Sequence, residues 1–266
     1  MKIKHTLLGL ALTAALVLPA SAAETLNVNG RNLWEQARAR MVGNTTYVSL
    51  RAVTGLLAPE AQVAWENGEA RVRGLGLTLT ARPGEQWLTV NGRALYLPDG
   101  VRLENGVTAV PIRALATALG GEVDWDREAG VTLTPGSGVP GSAPYTEKEL
   151  YWMSRIISAE SRGEPLLGKL AVGTVVLNRV ASEEFPDTIY DVIFDRKWGI
   201  QFEPVANGTI YNEPTEESVL AAKLVLEGAR AAGDSLYFIA PHLTDNHWTM
   251  ENQTYVTTIG CHWFYK

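Results

Sequence analysis

Hydrophobic residues recur with two different periods along the chain, and the change of period divides it into two parts. Apolar and polar residues alternate in 75–80 and 131–134, which is the pattern of half-buried strands. In 150–161 and 167–181, apolar residues recur every three or four positions, which is the period of amphipathic helices. The sequence therefore predicts an α+β protein, with a β-rich N-terminal part and a mainly helical C-terminal part that contains a small β element.

The β-rich part contains an internal repeat. Three pairs of segments define it: Val28–Arg31 with Val90–Arg93, Val48–Ala52 with Val110–Ala114, and Val63–Trp65 with Val123–Trp125. The first two pairs are 62 residues apart and the third is 60 apart, so the second copy has lost two residues in the turn after its helix. Each copy is predicted to contain a hairpin with an Asn-Gly turn, a strand that runs into a short helix, a Trp-bearing strand and one further strand.

The first long helix of the C-terminal part places a carboxylate on its own apolar face. Thr146 and Glu149 have the spacing of a capping box at the start of this helix. At about 100° per residue, Leu150, Met153, Ile156 and Ile157 lie within one arc of about 120°, and Glu160 falls within the same arc. A glycine and a proline shortly after Glu160 end the helix. We therefore expect Glu160 in the last helical turn, at the buried face.

Burial would suit Glu160 to proton transfer. A low-dielectric environment disfavours a charged carboxylate and raises its pKa, as a general acid near neutral pH requires. The alternative is that Glu160 only marks the edge of the buried face. Glu164, beyond the glycine, is expected to be solvated or paired with Arg162.

The remaining elements are expected to complete a cleft around this helix. Residues 167–181 predict a buried central helix, in which Gly168, Ala171 and Gly173 let another helix approach closely. Asn178 and Arg179 at its end either face the cleft or serve in capping and packing. Helices are also predicted over 187–194 and 213–231, a loop or short strand over 198–202, and strands over 236–239 and 255–259.

Polar and aromatic side chains in these later segments are candidates for substrate binding. Aromatic rings can stack on sugar faces, and we expect about two of five such rings in the cleft: Trp248, Trp263, Tyr211, Tyr237 and Phe238. The predicted substrate-binding residues are Gln201, Phe202, Tyr237, Phe238 and Trp248.

Several short motifs follow one another from about Tyr145 to the C-terminus: Ala159–Glu164, Gly168, Ala171-Val172, Val176–Val180, Phe185-Pro186, Val192–Phe194, Gln201-Phe202, Gly208–Ile210 and Leu236–Phe238. In order and approximate spacing they resemble the cell wall hydrolase family that includes spore cortex-lytic enzymes. The resemblance implies a lysozyme-like fold that cleaves peptidoglycan glycan strands, with Glu160 as the catalytic acid. It also implies a lytic transglycosylase reaction, which needs only one carboxylate and leaves an anhydromuramoyl end.

Three other functions stay open at this point. A hydrolytic muramidase would need a second carboxylate, such as Asp195 or Glu203. A zinc peptidase could use the histidines at 242, 247 and 262, but their spacing is not that of a helical H-E-x-x-H site, so no metal or other cofactor is expected. A non-catalytic wall-binding protein is the third possibility.

The repeated β-rich part resembles the copper amine oxidase N-terminal-like domain found on secreted bacterial proteins. Residues 23–134 contain no His and no Cys, so the side chains that usually hold copper are absent. A structural or wall-binding module is the better interpretation. Arg51 and Arg113, in the equivalent helices of the two copies, are expected to support the fold of the module.

The chain is expected to be exported. Basic residues, an uncharged apolar run over 7–18 and Ala20-Ser21-Ala22 predict a signal peptide over 1–22. The predicted division then runs through the β-rich module at 23–134, a Gly/Pro/Ser linker at 135–144 that leaves the two domains independently mobile, and the catalytic domain at 145–266. A location outside the cell, in the cell wall or with the spore, follows from this division.

Net charge limits the partners. Loss of two signal-peptide lysines takes the chain from −6 to −8, and this acidity argues against nucleic acid or an anionic membrane surface. Peptidoglycan glycan strands are the expected partner, a monomer is expected, and no membrane-spanning segment should remain after signal cleavage.

Cys261, the single cysteine, is expected to be a buried, inert thiol. The sequence leaves open whether spore cortex or vegetative wall is the substrate.

Overall fold

The two copies of the repeat form one β-rich half. The computed structural model describes residues 24–197, 199–243 and 248–266, so the predicted signal peptide lies outside the described residues. The elements of this half are β1 (Leu26–Val28), β2 (Arg31–Asn32), β3 (Arg40–Val42), β4 (Thr45–Ser49), α1 (Leu50–Leu57), β5 (Gln62–Glu66), β6 (Glu69–Gly74), β7 (Leu77–Ala81), β8 (Trp87–Val90), β9 (Arg93–Tyr96), β10 (Arg102–Glu104), β11 (Val107–Pro111), α2 (Ile112–Ala118), β12 (Glu122–Asp126) and β13 (Gly130–Thr134). This order confirms the predicted β-rich part.

A central sheet joins the copies about an approximate twofold axis. Strand β4 pairs antiparallel with β11 in the sheet β10-β11-β4-β3, and Val48 lies opposite Val110. These valines occupy equivalent positions in the two copies, 62 residues apart. Because each pairs with its own equivalent, exchanging the copies leaves the register unchanged. The outer sheets are β12-β13-β1-β2 and β5-β6-β7-β8-β9, and β7 is the strand that only the first copy supplies within the described residues.

The Asn-Gly turns form the predicted hairpins. Asn29 and Gly30 have φ values of 50° and 76°, and Asn91 and Gly92 have 47° and 82°. Positive φ at both positions gives the turn whose twist matches that of the flanking strands. Accordingly β1 pairs antiparallel with β2, and β8 with β9.

The C-terminal half is mainly helical, as predicted. Its elements are α3 (Glu147–Ser161), α4 (Leu166–Val180), α5 (Ile189–Ile193), α6 (Glu203–Asn207), a 3-10 turn (Thr209–Tyr211), α7 (Glu216–Leu226), β14 (Tyr237–Ile239), α8 (Trp248–Asn252), β15 (Tyr255–Ile259) and β16 (His262–Tyr265). The three strands form one sheet in the order β14-β16-β15. Within the described residues, no helix is long and apolar enough to cross a membrane.

Helix α4 is the central buried helix, and a glycine sets its distance from its neighbours. A Cβ atom on Gly173 would lie 2.9 Å from Ile157 of α3 and 3.1 Å from Val225 of α7. The absence of a side chain therefore lets three helices meet at this point. Helix α3 starts at the predicted capping box, in which Thr146 Oγ1 accepts from the Glu149 N–H and Glu149 accepts from the Thr146 N–H.

Helix α7 ends earlier than predicted, at Leu226 rather than near residue 231. Gly228 has φ 103°, a value that turns the chain away from the helix axis. The Arg230 guanidinium donates to the backbone carbonyls of Val225 and Ala229, which satisfies acceptors at the helix end. The early end releases Glu227 from the helix, so that it points to the β-rich half.

Direct contacts join the two halves, contrary to the predicted independent mobility. Arg93 of β9 forms a bidentate ion pair with Glu227, with both N–O distances 2.6 Å. Lys223 of α7 donates to the Gly92 carbonyl at 2.6 Å, and Ala94 is buried in the core of the helical half. The β8–β9 hairpin therefore packs on α7.

The predicted linker, 135–144, lies along the β-rich half rather than standing free. It forms no helix or strand, but Val139 packs against the core of that half. The Gly138 N–H donates to the Leu119 carbonyl at 3.1 Å. A Cβ atom on Gly136 would lie 1.6 Å from the Gly120 carbonyl oxygen, so only glycine fits there.

Candidate active site

Glu160 lies in the last turn of α3, at the edge of a buried face. Met153, Ile156 and Ile157 on that face are fully buried, whereas Glu160 is partly exposed. No hydrogen bond or ion pair from the part of the chain that the structure describes reaches its carboxylate. Its oxygens are therefore available to an incoming ligand.

The surroundings of Glu160 hold a proton on it near neutral pH. Burial and, to a smaller extent, the negative charge of Glu203 raise the pKa of Glu160, the positive charge of Arg179 lowers it, and the net result is a pKa of about 7. A carboxyl that titrates near neutrality can donate a proton and then accept one at the same pH. This combination is what acid–base catalysis by a single residue requires.

Arg179 is the cation beside Glu160, and aromatic rings surround it. It lies at the end of α4, is buried, and donates from Nε to the Leu236 carbonyl at 2.7 Å. Its guanidinium carbon lies 4.8 Å from the ring centre of Phe185, 5.1 Å from that of Phe202 and 5.6 Å from that of Tyr237. Burial lowers the pKa of Arg179 to about 10, so it stays charged at neutral pH.

Asn178 and Arg179 at the end of α4 were each predicted either to face the cleft or to serve in capping and packing. Arg179 lies near the site, whereas Asn178 has the packing role. The Asn178 side chain donates to the carbonyls of Gly233 and Ser235, each at 3.0 Å. It thereby fixes the chain that leads into β14. One Arg179 nitrogen, Nη1, is buried and has no hydrogen-bond partner among the described residues. The sequence signal for Arg179 was only its place at a helix end.

The structure separates the predicted substrate-binding residues. Phe202 is only 2% exposed and lies beneath the Arg179 guanidinium, so we assign it a packing role, contrary to the prediction. Phe238 contacts the rings of Phe202, His262 and Phe264, and most of its surface is likewise used in packing. The Gln201 side chain donates to the Gly199 carbonyl at 3.2 Å.

Tyr237 and Trp248 form an aromatic pair next to Arg179, which contacts the Tyr237 ring. Their ring centres are 6.3 Å apart with an edge-to-face arrangement, and Trp248 is exposed. The Tyr237 ring centre also lies 5.6 Å from the Arg179 guanidinium carbon. Tyr237 and Trp248 stay candidates for stacking on sugar faces.

The two carboxylates considered as partners of Glu160 act on different groups. Glu203 begins α6, is exposed, and its charge raises the pKa of Glu160. Asp195 accepts from the Lys197 N–H at 2.8 Å, and its charge acts on Arg179. Of the two, Glu203 is therefore the better placed to act together with Glu160.

Glu164 is neither solvated nor paired with Arg162, so that prediction is wrong. Its side chain is 9% exposed and accepts from the Cys261 N–H at 3.1 Å. A Cβ atom on Gly260 would lie 1.6 Å from Glu164 Oε2. Because Gly260 has φ 58° and no side chain, the β15–β16 turn can close directly on this carboxylate.

His262 and Cys261 lie beside Glu164, and the prediction of a buried Cys261 is wrong. His262 Nδ1 lies 3.9 Å from Glu164 Oε1, and the ring is buried against Phe238. Cys261 is exposed rather than buried. A hydrogen bond to Glu164 raises the pKa of its thiol, so Cys261 stays protonated at neutral pH and is a poor nucleophile. His247, the third histidine considered for zinc, lies outside the described residues.

Comparison with known proteins assigns both halves. A model of the Cell Wall Hydrolase family matches residues 163–265, a segment that begins just after Glu160. The cell wall hydrolase CwlJ of Oceanobacillus iheyensis is 31% identical over 103 residues, and the match covers 72% of that protein and 36% of this chain. The chain belongs to the cell wall hydrolase family. The N-terminal half of this cell wall hydrolase matches the copper amine oxidase N-terminal domain over residues 27–134.

Longer relatives match the same half of this cell wall hydrolase. The spore cortex-lytic enzyme of Bacillus cereus is 36% identical over 131 residues, which are 49% of this chain and 48% of that enzyme. The chain thus spans about half the length of the curated relatives it matches first. A solved structure, the catalytic domain of the germination-specific lytic transglycosylase SleB from Bacillus anthracis, is 35% identical to this chain. The match includes all of that domain and 47% of this chain, with a TM-score of 0.43.

Proposed function

We propose that this chain cleaves the glycan strands of peptidoglycan as a lytic transglycosylase, with Glu160 as both acid and base. The observation that carries the proposal is the state of Glu160: a partly buried carboxyl with a pKa of about 7 and no partner among the described residues. The names of the relatives, spore cortex-lytic enzyme and cell wall hydrolase, support peptidoglycan as the substrate.

The reaction uses one carboxyl twice. Protonated Glu160 donates its proton to the glycosidic oxygen, the bond from that oxygen to the anomeric carbon breaks, and the leaving sugar departs as an alcohol. The Glu160 carboxylate then takes the proton of the muramic sugar's primary hydroxyl while that oxygen bonds to the anomeric carbon. Glu160 ends protonated again, and no water is consumed.

Arg179 and Glu203 adjust Glu160 in opposite directions. The buried Arg179 cation stabilises the carboxylate between the two proton transfers, and the Glu203 charge favours the protonated form that begins the cycle. Tyr237 and Trp248 are the proposed stacking partners for the sugar rings. Outside the cell or in the wall, residues 23–134 would act as the wall-binding module and residues 145–266 as the catalytic domain of a monomer.

Glu203 supports a second candidate function, a hydrolytic muramidase. In such an enzyme Glu203 would activate a water molecule, and the new end would be a reducing muramic sugar rather than the anhydro sugar. The prediction is that digests of purified cortex and vegetative sacculi contain predominantly anhydromuramoyl ends. Mass spectrometry before and after borohydride treatment measures this, because only the reducing end is one water heavier and is reduced. Predominantly reducible ends would contradict the transglycosylase and favour the muramidase.

The pH profile gives a further prediction. Cleavage should decline above about pH 7, because the proton that Glu160 must donate is lost there. Replacing Glu203 by Gln removes a negative charge, so Glu160 should lose its proton more readily and the alkaline limb should move to lower pH. Measuring kcat/KM for a soluble glycan fragment over about pH 5 to 9 locates the alkaline limb in both proteins.

Asp195→Asn is the matched control, since the Asp195 charge acts on Arg179 rather than on Glu160. Its alkaline limb should stay close to that of the wild type. An unmoved limb in Glu203→Gln would contradict the assigned electrostatics. Loss of activity at every pH in that variant would instead make Glu203 a catalytic residue.

A further inference from the structure

The two copies of the repeat present a tryptophan at the same place, and both tryptophans are exposed. Trp65 lies opposite Ala70 in the β5–β6 pair, and Trp125 lies opposite Val131 in the β12–β13 pair. Strands β5 and β12 are the outermost strands of their sheets. Trp65 is 50% exposed and Trp125 is 57% exposed. The neighbouring residues Ala64 and Asp124 differ between the copies, whereas the exposed indole does not.

A second pair of exposed apolar side chains follows the same symmetry. Met41 of β3 and Leu103 of β10 are 62 residues apart in sequence, the offset of the repeat, and each is 49% exposed. Strands β3 and β10 are the two outermost strands of the central sheet. Exposed apolar side chains therefore recur at equivalent positions in both copies. Such recurrence is unexpected if these side chains only face solvent and bind nothing.

Around Trp125 this surface forms a cleft. The cleft has a volume of about 940 Å³, and Met41 and Trp125 both line it. Residues 228–230 of the helical half also line it. A ligand held in this cleft would thus touch both halves of the chain.

The polar groups of the cleft include two arginines that form no ion pair within the described residues. Arg113 and Arg230 are exposed side chains that line the cleft, and within the described residues their hydrogen bonds go to backbone carbonyls. The Glu227 carboxylate of the same wall is already occupied by Arg93. On a protein of negative net charge, this cleft therefore offers an apolar face beside two guanidinium groups that have no carboxylate partner within the described residues.

We propose that Trp65 and Trp125 are two symmetry-related carbohydrate-binding sites, each of which stacks its indole on a pyranose ring of a wall glycan strand. The C–H face of a pyranose matches an indole face, while its hydroxyls stay in water. In the cleft, Arg113 and Arg230 complement the carboxylates of the lactyl and peptide substituents on muramic sugars. The identity of the glycan rests on the proposed function, since the same chain carries the glycan-cleaving site.

Two sites on one chain should act together on an insoluble wall. Once one indole holds a glycan strand, the second meets a high local concentration of the same polymer, and the combined affinity exceeds that of either site. Loss of one site should therefore weaken attachment strongly, and loss of both should leave only the attachment through the catalytic site. The β-rich half would in this way keep the catalytic half on its substrate between cuts.

The test uses the full chain with Glu160→Gln, so that binding is measured without digestion. Co-sedimentation with purified sacculi should show at least about a tenfold weaker apparent affinity for Trp125→Ala or Trp65→Ala. The double variant should keep only the weaker attachment that the catalytic site provides. Tyrosine at either position should restore part of the binding, because it keeps an aromatic face. Leu75→Ala, which alters a fully exposed apolar residue of the same half, is the matched control and should bind like the parent.

Unchanged sedimentation of the double variant, with an unchanged melting curve, would overturn the proposal. A second result would also overturn it: the parent dimerises in solution, and the Trp→Ala variants lose the dimer but keep sacculus binding. The indoles would then bind a second copy of the chain rather than a glycan. Cleavage of a soluble glycan fragment by chains with an intact Glu160 should be the same with and without the tryptophans. The binding result is independent of the product analysis, so either proposal can fail without the other.

Discussion

Replacing Glu160 by Gln is expected to lower kcat on glycan strands by at least about 1000-fold, while KM changes little. The amide keeps the size and position of the side chain but can neither donate the first proton nor accept the second. Because Glu160 serves in both steps, no other described group can take over the loss. The rate of release of soluble fragments from sacculi, and of a soluble glycan fragment under saturating conditions, measures the effect.

The same variant should fold normally, which separates chemistry from stability. The pKa of Glu160 rises from 4.5 to about 7 on folding, so ionising this buried group opposes folding. The wild type should lose stability relative to Glu160→Gln as the pH rises from 4.5 towards 7, and the difference should be complete above 7. Glu147→Gln, on the exposed start of the same helix, is the control and should keep full activity. Near wild-type cleavage by Glu160→Gln would make the assignment of the active site wrong.

Sequence reasoning succeeded where the signal is local. The capping box at Thr146 and the Asn-Gly turns each specify a conformation within four residues, and all of them form as predicted. The repeat offset of 62 also held, because Val48 and Val110 are equivalent in sequence and meet in the structure. The place of Glu160 at the end of an apolar helix face follows from the same local periodicity.

Reasoning failed where a side chain depends on a distant backbone group. Arg179 donates to Leu236, 57 residues away, and Glu164 accepts from Cys261, 97 residues away. Periodicity reports which face of an element is apolar, but it does not report which remote carbonyl or amide will meet a polar side chain. The prediction of a solvated Glu164 therefore missed its contact with the β15–β16 turn.

Aromatic residues showed the same limit in another form. A ring beside a polar residue is equally consistent with a sugar platform and with a packed core. Phe202 proved to be buried under Arg179, whereas Trp65 and Trp125 proved to be exposed. Only the tertiary structure distinguishes the two uses, because exposure is decided by what the rest of the chain places on the ring.

The contact between the halves supplies the largest expected effect on stability. Glu227→Gln should cost about 3–5 kcal/mol, because it leaves the Arg93 guanidinium buried without its countercharge. The Arg93 and Glu227 side chains are only 12% and 3% exposed, so water cannot replace the lost partner. Urea unfolding of the full chain, followed by tryptophan fluorescence, should show either a lower midpoint or a split into two transitions.

Two matched variants decide whether the pair itself is responsible. Replacing both partners, as Arg93→Met with Glu227→Leu, should recover most of the loss, since a well-packed apolar pair replaces buried charges at little cost. Glu66→Gln breaks the Arg73–Glu66 pair, whose side chains are 51% and 37% exposed, and should cost far less than Glu227→Gln, because solvent already screens an exposed pair. If Glu227→Gln is no more destabilising than Glu66→Gln, the halves are held together by the apolar contacts around Ala94 instead, and the bidentate pair only fixes their orientation.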